Sequence, residues 1–275
     1  MKINFERTFT APFTAGEDGN IKNIYLTAAG ITLLGFVLIG IMQGISQVVV
    51  TFAQAIAGSN DVTSALIAGI LAIVVSLLSM GVSLVALALP FGYVTETVKL
   101  EVYDRKSIMP SWSGNYMRFF WNGVKFQLIM FIYSFILALI VIIPIILLVA
   151  ILGVSLHDKQ EMAAVAGGIG GIVIMLIIMV LIFAYMFILP MILTHFAAEG
   201  RFLAAFNIFK IIGKILSNLV DYIIAIVVVI GLGIMASIVY MLLCITCVGL
   251  LAIPVFAYFL LPIIMLNLFA QIYKE

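Results

Sequence analysis

The sequence predicts an all-α integral membrane protein with six transmembrane helices, and three observations carry that prediction. The first is composition. The 275 residues are 65% hydrophobic and only 9% charged, with a mean hydropathy of +1.34, whereas a soluble domain carries about 25% charged residues. The second is the spacing of the charges, which are confined to short stretches between apolar runs longer than the roughly 18 residues that mark a spanning helix. Bilayer hydrocarbon offers the backbone no partners, so such runs must be helical, and the alternating ten-residue segments of an outer-membrane barrel do not occur. The third is a phrase that closes three of the runs: Leu87-Ala88-Leu89-Pro90, Phe187-Ile188-Leu189-Pro190 and Phe259-Leu260-Leu261-Pro262.

Taken in order, the N-terminal segment carries Lys2, Glu6, Arg7, Glu17, Asp18 and Lys22 without an apolar core. It is not a cleavable signal, and the first spanning helix is expected to act as its own insertion signal. The six helices are expected at about 24–49, 64–94, 126–153, 163–195, 219–243 and 250–272. Lys2, Arg7 and Lys22 precede the first helix. Lys99, Arg105, Lys106, Arg118 and Lys125 fall between the second and third, Arg201, Lys210 and Lys214 between the fourth and fifth, and Lys274 in the tail. Against these stands Lys159 alone, in the loop that also holds His157, while the loop around Asp61 and the turn at Cys244 have none. The positive-inside rule therefore places both termini in the cytoplasm, with the chain a multi-pass protein of the cytoplasmic (inner) membrane.

The connections on the cytoplasmic side are long and amphipathic. From Trp112, the residues Trp112, Tyr116, Phe119 and Phe120 share one helical face, with Asn115, Arg118, Asn122 and Lys125 largely opposite. In the later connection Phe202, Phe206, Phe209, Ile212 and Leu216 oppose Asn207, Lys210, Lys214 and Asn218. A basic polar face with an aromatic apolar face describes a helix lying in the headgroup layer; for the first connection, a segment that packs against the base of the bundle remains the alternative. The repeat is thus an amphipathic lead-in, an outward helix, a short turn and a return helix ending in Leu-Pro. The whole chain, 1–275, reads as one polytopic domain of three such units, at about 1–106, 107–200 and 201–275, and three copies suggest a pseudo-threefold arrangement.

Three stretches carry a family resemblance. They are Ala11-Pro12-Phe13 with Glu17-Asp18 and Lys22, the Gly92-Tyr93-Val94 exit followed by Pro110-Ser111-Trp112, and Phe196-Ala197-Ala198-Glu199-Gly200-Arg201-Phe202-Leu203-Ala204-Ala205-Phe206. Together they resemble a prokaryotic membrane-protein family of unknown function, domain of unknown function 4013, over nearly the whole chain. More distantly, the Leu-Pro exit and the helix after it look like the membrane domain found in some glycerophosphodiester phosphodiesterases. The resemblance implies about six helices and a bacterial or archaeal membrane, and brings no functional residues with it.

Each Leu-Pro is followed by a polar residue five positions on (Thr95, His195, Asn267) and another nine positions on (Lys99, Glu199, Gln271). Positions four apart share a helix face, so convergence of the three return helices would stack two polar layers, with Glu96 beside them, as a polar vestibule at the cytoplasmic end. The alternative is that these helices simply emerge there into the headgroup layer. Pro90, Pro144, Pro190 and Pro262 each remove a helical hydrogen bond and tend to kink the helix, Pro144 falling mid-membrane. Asp221 suits the positive end of a helix dipole. Gly40-x-x-x-Gly44 and Gly167-x-x-x-Gly171 permit close helix approach. Cys244-x-x-Cys247 has redox spacing without a thioredoxin-like context, and whether it forms a disulfide stays open.

Two histidines separated by a membrane thickness give no shared metal site, no cofactor is expected, and the signatures of metalloproteases, nucleotide-phosphate loops and Ser/His/Asp enzymes are missing. The expected role is therefore non-enzymatic, a transport- or permease-like handling of a small or lipidic molecule, with an oligomeric membrane scaffold or shaping protein as the alternative. The expected partners are the lipid bilayer and either further copies of the chain or a partner membrane subunit, with no nucleic acid.

Overall fold

A computed structural model describes residues 3–13, 21–57, 62–103, 109–155, 160–246 and 252–274. Six of its helices are long and apolar enough to cross a membrane: Ile21–Ala55, Leu66–Val102, Tyr116–Ile146, Gly171–Glu199, Leu219–Leu243 and Ala252–Tyr273. The helices containing them are α2 (Ile21–Ala57), α3 (Val62–Val102), α4 (Tyr116–Ser155), α5 (Gln160–Glu199) and α7 (Leu219–Leu243). The sixth has a π-helical turn at Phe256–Leu260 followed by α8 (Leu261–Tyr273). Two short helices, α1 (Phe5–Thr10) and α6 (Ile208–Ser217), lie between or before them. Asn4 caps α1 through Arg7 N, and Asn207 caps α6 through Lys210 N. The predicted residues Lys2, Glu17, Asp18, Asp61, Arg105, Lys106, His157, Lys159 and Cys247 lie outside the described residues, as do the surroundings of Gly167.

Several helices outrun their apolar segments. α3 continues past the predicted end to Val102 and α5 to Glu199, while α4 starts at Tyr116. The stretch expected to lie flat before the third spanning helix is instead that helix's own base, because residues 116–126 contain no proline and continue the helical hydrogen bonds. Trp112 precedes the helix and is buried, stacked on Tyr93 with ring centroids 4.5 Å apart and edge-on to Phe119 at 5.3 Å. Trp112 therefore packs inside the protein and is not an interfacial residue, whereas Tyr116, Met117 and Trp121 are exposed.

The buried core gathers at one end of the bundle, the end that holds the described parts of both termini, here called the base. No residue of α5 from 171 to 190 is buried, yet 191–198 is buried throughout. The same change occurs in α3, where 92–98 is buried, and in the last helix, where 263–272 is buried apart from Met265. Each Leu-Pro phrase thus marks the point at which a return helix enters a common core. α3, α5 and α8 pack against one another pairwise. Away from the base, large apolar side chains such as Leu34, Val48 and Met175 are exposed, the arrangement that lipid rather than water solvates.

Glycines set the closest helix approach, but not the expected ones. A Cβ on Gly92 of α3 would stand 1.6 Å from the Phe119 carbonyl oxygen, and one on Gly123 of α4 1.6 Å from the Ala88 carbonyl oxygen. Each glycine meets the carbonyl four residues before its counterpart, so the α3–α4 crossing is locally two-fold. Gly40, Gly44 and Gly171 have nothing within 4 Å of an added Cβ, so they are not the packing contacts their spacing suggested.

The prolines sit within continuous helix, and at Pro90 packing meets the carbonyl that the proline frees. Pro90 has no N–H for the Ala86 carbonyl, and Gly35 of α2 lies against that oxygen, 2.6 Å from where its Cβ would be. Near Pro190 the Tyr222 hydroxyl of α7 donates to the Phe187 carbonyl. At Pro262 the helix widens into the π turn, with Leu261 N–H bonding back to Phe256 O. Pro144 lies inside α4.

Candidate functional site

Polar side chains are concentrated where the three return helices meet. Thr95, Glu96, Thr97, Glu101, Thr194, His195, Asn267 and Gln271 are all buried. The threonines are satisfied by their own helices: Thr95 donates to Phe91 O at 2.8 Å, and Thr194 to Pro190 O at 2.9 Å. His195 Nδ1 lies 2.7 Å from the Tyr273 hydroxyl, and its Nε2 lies 3.6 Å from Glu199 Oε1 without a hydrogen bond. Asn267 is 1% exposed. Neither its amide nitrogen nor its amide oxygen finds a hydrogen-bond partner among the described residues. Thr95, His195 and Asn267 therefore lie inside protein.

The residues nine beyond the prolines do not form a second shared layer; each turns toward a different basic or polar lead-in. Gln271 accepts from Asn4 N at 2.7 Å and donates to Thr8 Oγ1 at 2.9 Å, which anchors α1 to α8. Glu199 accepts from Lys210 of α6, an interaction that holds the Lys210 ammonium above its ordinary pKa. Lys214 donates to the Tyr273 carbonyl at 3.1 Å, with its ammonium over the Tyr273 ring. Lys210 and Lys214 are thus tied to the bundle. On α6, Ile211 and Ile215 are buried, while Phe209, Ile212 and Leu216 are exposed. Asp221 occupies the first turn of α7, and Cys244 is exposed beyond its end.

Lys99 has a third environment. With Glu96, Leu100, Tyr103, Pro110, Asn115 and Arg118 it lines a polar cleft of about 590 Å³ between the bases of α3 and α4. Arg118 lies 3.6 Å from Glu96 and over the Phe119 ring. Lys99 has no acidic partner among the described residues. Lys125, three helical turns from the cleft's Asn115, is half-buried on α4. A separate groove of about 620 Å³ along α5, lined by Met179, Val180, Phe183, Ala184, Phe187 and Ile188, is almost wholly apolar and offers no polar chemistry.

Sequence spacing missed a further polar centre. The Glu101 carboxylate is buried and receives Arg7 Nε at 3.1 Å, Arg7 Nη2 at 3.0 Å and Lys274 Nζ at 3.3 Å. It ties both ends of the described chain to α3. Only the i+5 spacing from Glu96 could have placed it near the same base. No pattern in the sequence pairs it with residues about a hundred positions upstream and far downstream.

Neither the curated proteins nor the solved structures contain a match to this chain. A family model described as "Protein of unknown function (DUF4013)" matches residues 77–245. That region takes in the Pro90 and Pro190 return helices, the Gly92–Gly123 crossing and the polar cleft. The match covers more than half of the chain, which therefore belongs to the DUF4013 family of proteins of unknown function.

Proposed function

We propose that the chain is a non-enzymatic, permease-like protein of the cytoplasmic membrane that takes up a small or lipidic polar molecule at its base, with that base and both termini on the cytoplasmic side. The observation that carries this reading is the amide of Asn267, which has no hydrogen-bond partner among the described residues and is held where the three Leu-Pro helices meet. A buried polar group without a partner costs about 1–3 kcal/mol, and polar residues inside a membrane bundle usually serve a path or a site. Proline-interrupted helices around a common centre suit alternating exposure of such a site. The basic residues on the segments at the base support the orientation.

The scaffold reading has one observation of its own. Phe209 on α6 is 93% exposed and shares one helix face with the exposed Ile212 and Leu216. It suits insertion into one leaflet.

Reconstitution into liposomes, with ion and small-dye flux and vesicle shape recorded together, separates the two. Asn267→Leu is expected to raise the melting temperature, because it removes the unpaired amide, while it lowers flux at least tenfold. A lower melting temperature would make Asn267 a structural group and remove the support for a path. Tubulation without flux, lost in Phe209→Ser, would favour the scaffold.

A further inference from the structure

We propose that the cleft between the bases of α3 and α4 binds an amine-bearing phosphodiester headgroup, with Glu96 receiving the ammonium and Lys99 and Arg118 holding the phosphate. This rests on the reading that the chain handles a polar or lipidic molecule, and it names the class. Glu96 is 5% exposed, and its one ion pair among the described residues, to Arg118, is long at 3.6 Å. A buried carboxylate in that position still wants donors. Lys99, one turn along the same face of α3, has no acidic partner among the described residues and also lines the cleft.

Residues three apart on a helix hold their Cβ atoms about 5–6 Å apart, a span that a two-carbon spacer between ammonium and phosphate bridges. A simple anion would meet the Glu96 carboxylate, and a simple cation would meet two positive side chains. A headgroup with both charges satisfies all three. Guanidinium and phosphate pair well. On α4, exposed Met117 and Trp121 flank Arg118, which leaves room for acyl chains beside the cleft.

The test is calorimetric binding to the purified full chain in detergent. The probes are dihexanoyl phosphatidylethanolamine, dihexanoyl phosphatidylglycerol, soluble glycerophosphoethanolamine and inorganic phosphate. The ethanolamine lipid is expected to bind at least tenfold tighter than the glycerol lipid, and Glu96→Gln to erase that preference. Lys99→Met, at a partly exposed position that folding tolerates, is expected to weaken both lipids. Equal affinity of the soluble headgroup and the lipid would assign the site to a soluble phosphodiester; a strong preference for the lipid would assign it to the membrane. Inorganic phosphate binding as tightly as the headgroups, or equal binding of both lipids in the parent and in Glu96→Gln, would overturn the assignment. Headgroup selectivity with no flux in liposomes would leave the site standing and remove the permease reading; flux without selectivity would do the reverse.

Discussion

Gly92→Ala is expected to break the base of the bundle, and Gly123→Ala to break it from the other side of the same contact. The added Cβ would lie 1.6 Å from a backbone carbonyl oxygen in each case. The obstacle is backbone within a helix, so no rotamer change relieves it and α3 and α4 must separate. Overpacking that side chains can absorb costs about 1–3 kcal/mol. Here separation also dismantles the Tyr93, Trp112 and Phe119 cluster, whose pairs contribute about 0.5–1.5 kcal/mol each beyond buried area. The expected result is a loss above about 3 kcal/mol, read as poor accumulation or a sharply lower melting temperature in detergent, with red-shifted emission from buried Trp112. Gly40→Ala, in open space, is the control and should be neutral or slightly stabilising. A Gly92→Ala protein that melts with its parent would show that the helices do not cross at these glycines.

The second large effect is at Glu101. Glu101→Ala is expected to release both chain ends from α3, because Arg7 and Lys274 lose their shared carboxylate. Removing one partner of a buried pair costs about 3–5 kcal/mol. The Arg7 and Lys274 side chains are 32% and 23% exposed and can rehydrate, which reduces the expected loss to about 1–3 kcal/mol. Trypsin should then cut after Arg7 many times faster than in the parent, with the membrane helices still protected. Glu101→Gln should fall between the two, since it keeps an acceptor and loses the charge. Unchanged cleavage would mean that Gln271 and apolar contacts hold α1 without the carboxylate.

Much of the membrane architecture is legible in the chain because it follows from local chemistry. Six apolar runs are six helices, since only a helix satisfies its own backbone in hydrocarbon. The fifth matches its expected bounds at both ends, because Asn218 and Cys244 flank a run apolar apart from Asp221, Tyr222, Ser237 and Tyr240. The others extend further at the base, as polarity ends an apolar run without ending a helix. The residues five beyond each proline were legible as a set, and the structure buries all three. The same spacing predicts a second layer from the residues nine beyond, but Lys99, Glu199 and Gln271 each have different surroundings.

What the sequence determined by itself is therefore the class, the number of spanning helices, the charge asymmetry and the Leu-Pro positions where the core begins. These depend on composition and on groups within a few residues of one another. Only the tertiary structure decided that Gly92 and Gly123, rather than Gly40 and Gly44, carry the closest crossing, and that Trp112 is a core residue. It alone joined Arg7 and Lys274 at Glu101, and it alone left Asn267 without a partner among the described residues. Each of these is a meeting between segments far apart in the chain. Which faces meet depends on how all the helices pack at once, and no spacing along one of them records it.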